Sequence, residues 1–379
     1  MKNFDKHIPL CKQQKEIMQL FYAVKPTKIV ITKNDYDKLW NLLKNVKLSN
    51  EQIQKLENIC PAIVCEIQKS QSENHLIQSA VFSECVYAQT LANIFKLPLF
   101  SDYEKDNKLE NDVLALLQSY SLVPRYVYAN ANKTEFLVQA GGCGGVDSAL
   151  IHLVDNASYS IEFKEPGSRA TTANLPKYGE EGKLVITQNF LRKYPFFKEM
   201  VEENKDLNFF ETMGSNTYSF SQEALKTAIT RNYNMTKKYA DVIVTADKDD
   251  YLVMLPANQV DLFARIEGEI RGARNKSKVW TPNKLKSFIE QLGGTINRNI
   301  VTIPETKLTA SKARGGNEIS RYKINPLFFV GLNDVEINNG FATFLLDKVV
   351  QLIPCITTKM FFENLSINEI TTHYKKELQ

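Results

Sequence analysis

Three stretches near the start of the chain carry apolar residues at three-and-four spacing: Asn34 to Leu48, Asn50 to Lys69 and Ser72 to Lys96. That spacing gathers the apolar side chains on one side of an α-helix, so the first hundred residues predict a mostly helical region. Pro61 has no amide hydrogen to donate and predicts a kink or a division in the middle stretch. Ser49-Asn50-Glu51 offers a helix start with a side-chain cap. Leu97-Pro98-Leu99 and the charged run Asp102 to Asp112 then predict a boundary.

Beyond that boundary the texture changes. Leu109 to Tyr120 predicts a short amphipathic helix and Glu135 to Gln139 a short strand. A glycine cluster, Gly141 to Gly145, leads into the apolar run Val146 to Val154. Asp155-Asn156-Ala157-Ser158 has strong turn chemistry, and Tyr159 to Lys164 returns as a second apolar run. Two such runs around a four-residue turn predict a β-hairpin. Gln222 to Lys238 predicts a helix. Ala240 to Thr245 and Tyr251 to Leu255 predict another strand pair across Ala246 to Asp250. This order predicts an α/β fold, a mixed β-sheet flanked by helices, with a helical N-terminal region over residues 1–100, a core over 101–260 and a C-terminal α+β extension over 261–379.

A chain of 379 residues is longer than one compact core usually holds, which agrees with elaborations around a central domain. Hydrophobic residues make up 43% and charged residues 24%, which is a globular mixture and not a disordered one. The net charge of +4 is modest, but Arg265, Arg271, Arg274, Lys276, Lys278, Lys284 and Lys286 fall close together. Local basic clustering of this kind points towards a polyanion. Six cysteines are spread without a C-x-x-C pair, which argues against structural zinc and for free thiols in a reducing compartment. The first residues lack an apolar core of signal-peptide length, and no stretch approaches eighteen apolar residues, so a soluble, cytoplasmic protein without a membrane is expected.

The candidate chemistry lies on the hairpin. Cleaving a phosphodiester near neutral pH needs an activated water and neutralisation of charge growing on phosphorus, and a hard cation held by carboxylates supplies both. Asp147 opens the first strand, while Glu162 and Lys164 lie two apart on the return strand and so share one face. Phe163 points the other way, into the core. The acid-x-Lys tripeptide recurs at Asp106, Glu181, Glu203 and Glu305, in polar, loop-like or proline-interrupted surroundings. Glu162 combines a strand, a hairpin and an upstream aspartate.

With Asp147 followed by Glu162-Phe163-Lys164, fourteen residues intervening, the chain resembles the PD-(D/E)XK nuclease superfamily, and within it the type II restriction endonucleases. Val146 stands where that pattern often has proline. The resemblance implies that Asp147 and Glu162 bind Mg²⁺ and that Lys164 positions or activates the attacking water. It also implies double-stranded DNA as substrate, cut at a short specific sequence by a homodimer, with a cognate DNA methyltransferase as genetic partner. Many members use a further glutamate on the preceding helix, for which Glu110 is the nearest candidate.

The segment Cys143-Gly144-Gly145-Val146-Asp147-Ser148 also resembles the phosphate loop of PP-loop ATP pyrophosphatases, in which the residues after the loop open a helix. Cys143 replaces a serine of that pattern. Ala149 to Val154 permits either state, so the choice rests on whether residues 148 to 154 form a strand or a helix. A non-catalytic DNA-binding protein is a third reading. Arg271, Arg274, Lys276 and Lys278, with Lys312 and Arg314 further on, sit in glycine-punctuated basic segments where a DNA-recognition region is expected. Ser168 to Asn174, after the return strand, carries small polar donors suited to phosphate. His152 reads as a satisfied sheet residue, and the other histidines form no pair at metal-ligand spacing.

Overall fold

A computed structural model describes residues 10–45, 48–73, 77, 79–102, 110–119, 122–140, 146–174, 184–186, 192, 201–203, 211–212, 218–220, 224, 227, 240–273, 282–312, 319–325, 328–351 and 353–379. The chain divides into two compact units. One is made of Met1–Arg169, Tyr233–Ile266 and Met360–Gln379, the other of Ala170–Asn232 and Glu267–Lys359.

The first unit begins with five helices: α1 (Lys12–Tyr22), α2 (Lys33–Asn45), α3 (Asn50–Ile59), α4 (Pro61–Ser72) and α5 (Ser79–Ile94). Ser49 caps α3, its hydroxyl accepting from Gln52 N while Ser49 N donates to Gln52 Oε1 at 2.9 Å. This reciprocal pair satisfies two amides that a helix start would leave open. At Cys60 the backbone leaves helical geometry, with φ −152° and ψ 82°, and Pro61 opens the next helix. The expected break at this proline is therefore a division into two helices. Residues 12–22, which the sequence reading left unassigned, form α1, whose buried Ile17, Met18 and Phe21 recur at helical spacing.

The sheet of this unit has seven strands. β1 (Leu99–Asp102), β2 (Pro124–Ala129), β3 (Glu135–Ala140), β4 (Ser148–His152) and β5 (Ala157–Phe163) follow one another as antiparallel neighbours. Strand Val242–Ala246 then pairs with β5 in parallel, and strand Leu252–Pro256 closes the edge antiparallel to it. This is the mixed sheet flanked by helices that the patterning predicts. Helix Asn111–Ser119 covers one face through Val113 and Leu117, which pack with Val127, Phe136, Val138, Ala149 and Ile151. The central strands are buried on both faces. Helix α5 lies against the other face, where Tyr87 stacks on Phe163 at 5.8 Å between centroids.

The register places the hairpin as expected. Ser148 pairs with Ile161 and His152 with Ala157, so residues 148–152 are a strand bonded on both sides, to β3 and to β5. The helix that a PP-loop would require after Asp147 is absent here, because a backbone satisfied by two neighbouring strands has no amides left to cradle phosphate. Asn156 takes φ +53° in the connecting turn, a conformation asparagine tolerates. The break expected at Leu97-Pro98-Leu99 is present at Leu97 and Pro98, and Leu99 already opens the edge strand β1. Of the helix expected over Gln222 to Lys238, Ala224 and Thr227 are helical and the rest lies outside the described residues.

In the second unit two four-stranded sheets share a core of Val301, Ile303, Ile324, Phe328, Val330, Ala342 and Phe344, with Ile289 of helix Pro282–Gln291 packed against them. Glu305, one of the recurring acid-x-Lys acids, falls in a short 3-10 turn after strand Ile300–Pro304.

The parallel pairing beside β5 is pinned by a side chain. Asp241 Oδ2 accepts from both the amide and the hydroxyl of Ser160, each at 2.8 Å, and Asp241 N donates back to the Ser160 carbonyl at 2.9 Å. Replacing Asp241 by alanine strands these donors and is expected to cost about 1–3 kcal/mol. A lowered urea midpoint at unchanged m-value would show it; an unmoved midpoint would mean the pair does not hold the strands.

Candidate active site

Asp147 lies just before β4, where the β4–β5 ladder ends. Its carbonyl accepts from Ala140 N at 2.9 Å, continuing the β3 side of the sheet. On the β5 side its carboxylate, in place of a main-chain carbonyl, accepts the amide of Phe163 at 2.7 Å. The bond brings the carboxylate to the backbone between Glu162 and Lys164. Lys164 N in turn donates to Val244 O at 2.9 Å, so the return strand is held from both sides where it leaves the sheet.

Glu162 and Lys164 share a face, as the period of two requires, and Lys164 Nζ meets Glu162 Oε1 at 2.5 Å. Both side chains are largely withdrawn from solvent, at 17% and 13% exposure, whereas Phe163 is buried on the opposite side. Burial pulls the Lys164 ammonium towards neutrality. Glu162 and Asp147, with Glu84 beyond them, more than reverse this and hold it above its ordinary value. Lys164 is therefore a cation throughout the neutral range. It can orient a water or hold a phosphate oxygen, but it has no free pair with which to take a proton.

Glu84 of α5 joins this cluster, and the sequence reading missed it. Its carboxyl is pushed up from 4.5 to about 7, first by burial and then by the negative charge of Asp147, with Arg125 and Lys164 acting against the rise. Glu110, the candidate chosen by proximity in sequence, is exposed at the start of helix Asn111–Ser119 and is not among the charges acting on Lys164 or Glu84. The signal for Glu84 was legible: it is the one charged residue in a sixteen-residue helix that is otherwise apolar or neutral. Arg125 of β2 was also missed. Its Nε lies 3.7 Å from Glu66 of α4, and its Nη1 is buried without a partner among the described residues.

Two carboxylates beside a lysine are hard oxygen donors, the chemistry a small divalent cation takes. Among the described residues no group of three or more His, Cys, Asp and Glu is placed to hold a metal ion together. The set fits an ion that retains several waters and is held by one or two carboxylates, which is the habit of Mg²⁺.

The basic residues expected to meet DNA are less well placed. Arg271 lies on strand Arg265–Ala273 and Lys312 at the end of strand Thr309–Lys312. Arg274, Lys276, Lys278 and Arg314 lie outside the described residues. The segment after the return strand is also a strand, Arg169–Asn174. His152 sits 3.3 Å from Glu135, as a sheet residue with a partner. No helix among the described residues is long and apolar enough to cross a membrane.

No family model matches the chain, and no curated protein matches its sequence. Among solved structures, the chain is similar to a HhaI endonuclease in complex with DNA, at 13% identity and a TM-score of 0.26, over 70% of this chain and 97% of that one.

The raised carboxyl of Glu84 has a thermodynamic consequence. The folded protein holds this proton up to about pH 7, whereas the unfolded chain releases it near 4.5. Stability from this group is therefore complete below about 4.5 and is lost as the pH rises through 7. Glu84→Gln, which keeps the neutral shape, is expected to be more stable than wild type at pH 8 by on the order of 1–3 kcal/mol, the gain fading by pH 5. Thermal melts of both proteins across this range, without divalent metal, measure it. A gain that is the same at every pH would refute the assignment.

Proposed function

We propose that the chain is a Mg²⁺-dependent endonuclease of the PD-(D/E)XK type, of the restriction-enzyme class, hydrolysing both strands of duplex DNA at a short specific sequence. The observation that carries this reading is the end of the β4–β5 ladder, where Asp147 bonds to the backbone between Glu162 and the lysine paired with it. The strand state of residues 148–152 supports it over an ATP-dependent reading.

On this reading Asp147 and Glu162 hold the cation. When bound, Mg²⁺ lowers the pKa of a coordinated water and offsets charge on the phosphate. The protein's own part is positional. Lys164, fixed as a cation, holds the water or a phosphate oxygen in line with the scissile bond, and Glu162 keeps the ammonium from wandering. As the bond from water oxygen to phosphorus forms, the bond to the leaving oxygen breaks; the water gives up a proton to solvent and the leaving oxygen takes one up from solvent. Glu84, whose carboxyl is raised to about 7 without metal, adds a third acid to the charges acting on Lys164. Arg271, Arg274, Lys276, Lys278, Lys312 and Arg314 would supply phosphate and base contacts, and a two-fold dimer would present two such sites to the two strands. A cognate methyltransferase, the genetic partner of such an enzyme, would protect the host's own sites.

The test is incubation with plasmid and phage DNA, with Mg²⁺ or EDTA and with or without ATP. Discrete fragments are expected with Mg²⁺ alone. Glu162→Gln and Lys164→Ala should each lose at least about a hundredfold in cleavage rate while retaining DNA binding in a gel-shift assay. Undiminished cleavage by both variants, or cleavage that needs ATP, would overturn the reading.

A further inference from the structure

A second site lies within the same unit. A pocket of about 440 Å³, within the range of small-molecule sites, opens beside α2, α5 and the end of the β5 segment. Four aromatic side chains line it, Tyr36, Trp40, Tyr87 and Phe362. Tyr36 and Trp40 lie nearly parallel, 15° apart with centroids at 6.5 Å, and Tyr87 contributes a third ring. These rings are braced from behind. Phe82 packs edge-on against Tyr36 at 4.6 Å, and Phe163 stacks on Tyr87. The walls are thus flat, apolar and fixed.

The polar end of the pocket is specific. Ser83 hydrogen-bonds the Glu165 carboxylate, and its oxygen lies 3.3 Å from the Tyr36 hydroxyl. Glu165 and Asp250 both lie close enough to Tyr87 to act on its phenol, which burial above all keeps protonated. Asp247, though it also lines the pocket, is committed to the turn, accepting from Asp249 N and Tyr251 N at 2.8 Å each. The slot therefore offers the Glu165 carboxylate, with Asp37 and Asp250 also in its lining, and hydroxyls that both give and accept hydrogen bonds. Lys33 and Lys248 are exposed and stand at the solvent edge.

A planar ring with N–H donors on its edge, carrying a phosphate outside, answers each of these features. The rings stack on it, the carboxylate takes its amino or imino hydrogens, and the lysines meet the phosphate. We propose that this pocket binds a nucleobase, taken either from a free nucleotide or from a base extruded out of duplex DNA. Neighbouring residues divide between the two sites: Ser83 and Glu165 face this pocket, while Glu84 and Lys164 belong to the carboxylate–lysine cluster. An occupied pocket would thus pull on the same turn of α5 and the same segment after β5 that position the cluster. The duplex source rests on the nuclease reading; the free-nucleotide source does not.

The pocket is tested first without DNA or metal, by saturation-transfer NMR from the full-length protein to dAMP, dCMP, dGMP and dTMP. Transfer is expected to the base protons of at least one of the three nucleotides with an exocyclic amino group. Trp40→Ala should weaken that binding roughly tenfold or more, from the lost stacking. Glu165→Gln, which keeps size and fold, should weaken it too, and Lys12→Ala, an exposed change on α1 outside the pocket, should leave it unchanged. Binding by none of the four, or binding untouched in both pocket variants, overturns the proposal. A protein that cuts DNA and binds no nucleotide keeps the nuclease reading and loses this one; a protein that binds nucleotide and cuts nothing does the reverse. The second arm places 2-aminopurine at each position of the cleaved sequence. A rise in its emission with the Asp147→Ala protein, absent when Trp40 is also replaced, assigns the extruded base; no rise assigns the free nucleotide.

Discussion

The hydrogen bond from Phe163 N to the Asp147 carboxylate is where the sheet becomes a site. Up to Ser148 and Ile161 the two strands of the hairpin exchange main-chain bonds in the ordinary way. One step further a side chain takes the acceptor's role, so the ladder stops and a carboxylate is left between two functional positions of the next strand. A charge-assisted bond of this kind contributes about 1.5–3 kcal/mol, enough to fix one rotamer of a short side chain. The same bond satisfies a buried amide and orients a ligand group. Loss of Asp147 therefore mixes two effects, and the separate roles are cleaner to read at Glu162 and Lys164.

The return strand can carry its charges because it is held on every side but one. β4 bonds to one edge and strand Val242–Ala246 to the other, with Ser160 and Asp241 locking the parallel register. Phe163 is stacked on Tyr87 of α5 across the inner face. That leaves Glu162 and Lys164 on a partly open face, with little freedom to move. A site built on paired strands is more sharply placed than one on a loop, and placement is what in-line displacement needs.

The hairpin was legible in the sequence because its information is local. Two apolar runs, a turn of Asp, Asn, Ala and Ser, and an acid opposite an acid-x-Lys all lie within twenty residues. Residues 148–154 alone could not decide between strand and helix, since Ala, Leu, Ile and Val suit either. The decision came from β3 and β5 pairing on both sides. β2 was invisible for a related reason: a strand buried on both faces, such as Pro124–Ala129, shows little alternation. Glu110 was chosen over Glu84 because distance along the chain stood in for distance in space. Glu84 lies sixty-three positions before Asp147, and only the packing of α5 on the sheet brings the two together. An isolated acid in an apolar helix is costly unless something repays it, and that cost was the clue available.

The charges themselves argue for what the cluster is built to hold. Asp147, Glu162 and Glu84 carry −3 when all are ionised, and Lys164 returns +1, leaving −2 in a place largely withdrawn from water. Arg125, 3.7 Å from Glu66, also acts on Glu84 and lowers its carboxyl. Burial first, and then the charge of Asp147, favours keeping a proton on Glu84. A divalent cation would remove the need for that proton, since its +2 balances the ionised cluster. Metal binding and proton release at Glu84 are then two ends of one equilibrium. Affinity for Mg²⁺ should climb with pH through 7 and flatten once Glu84 is ionised without help.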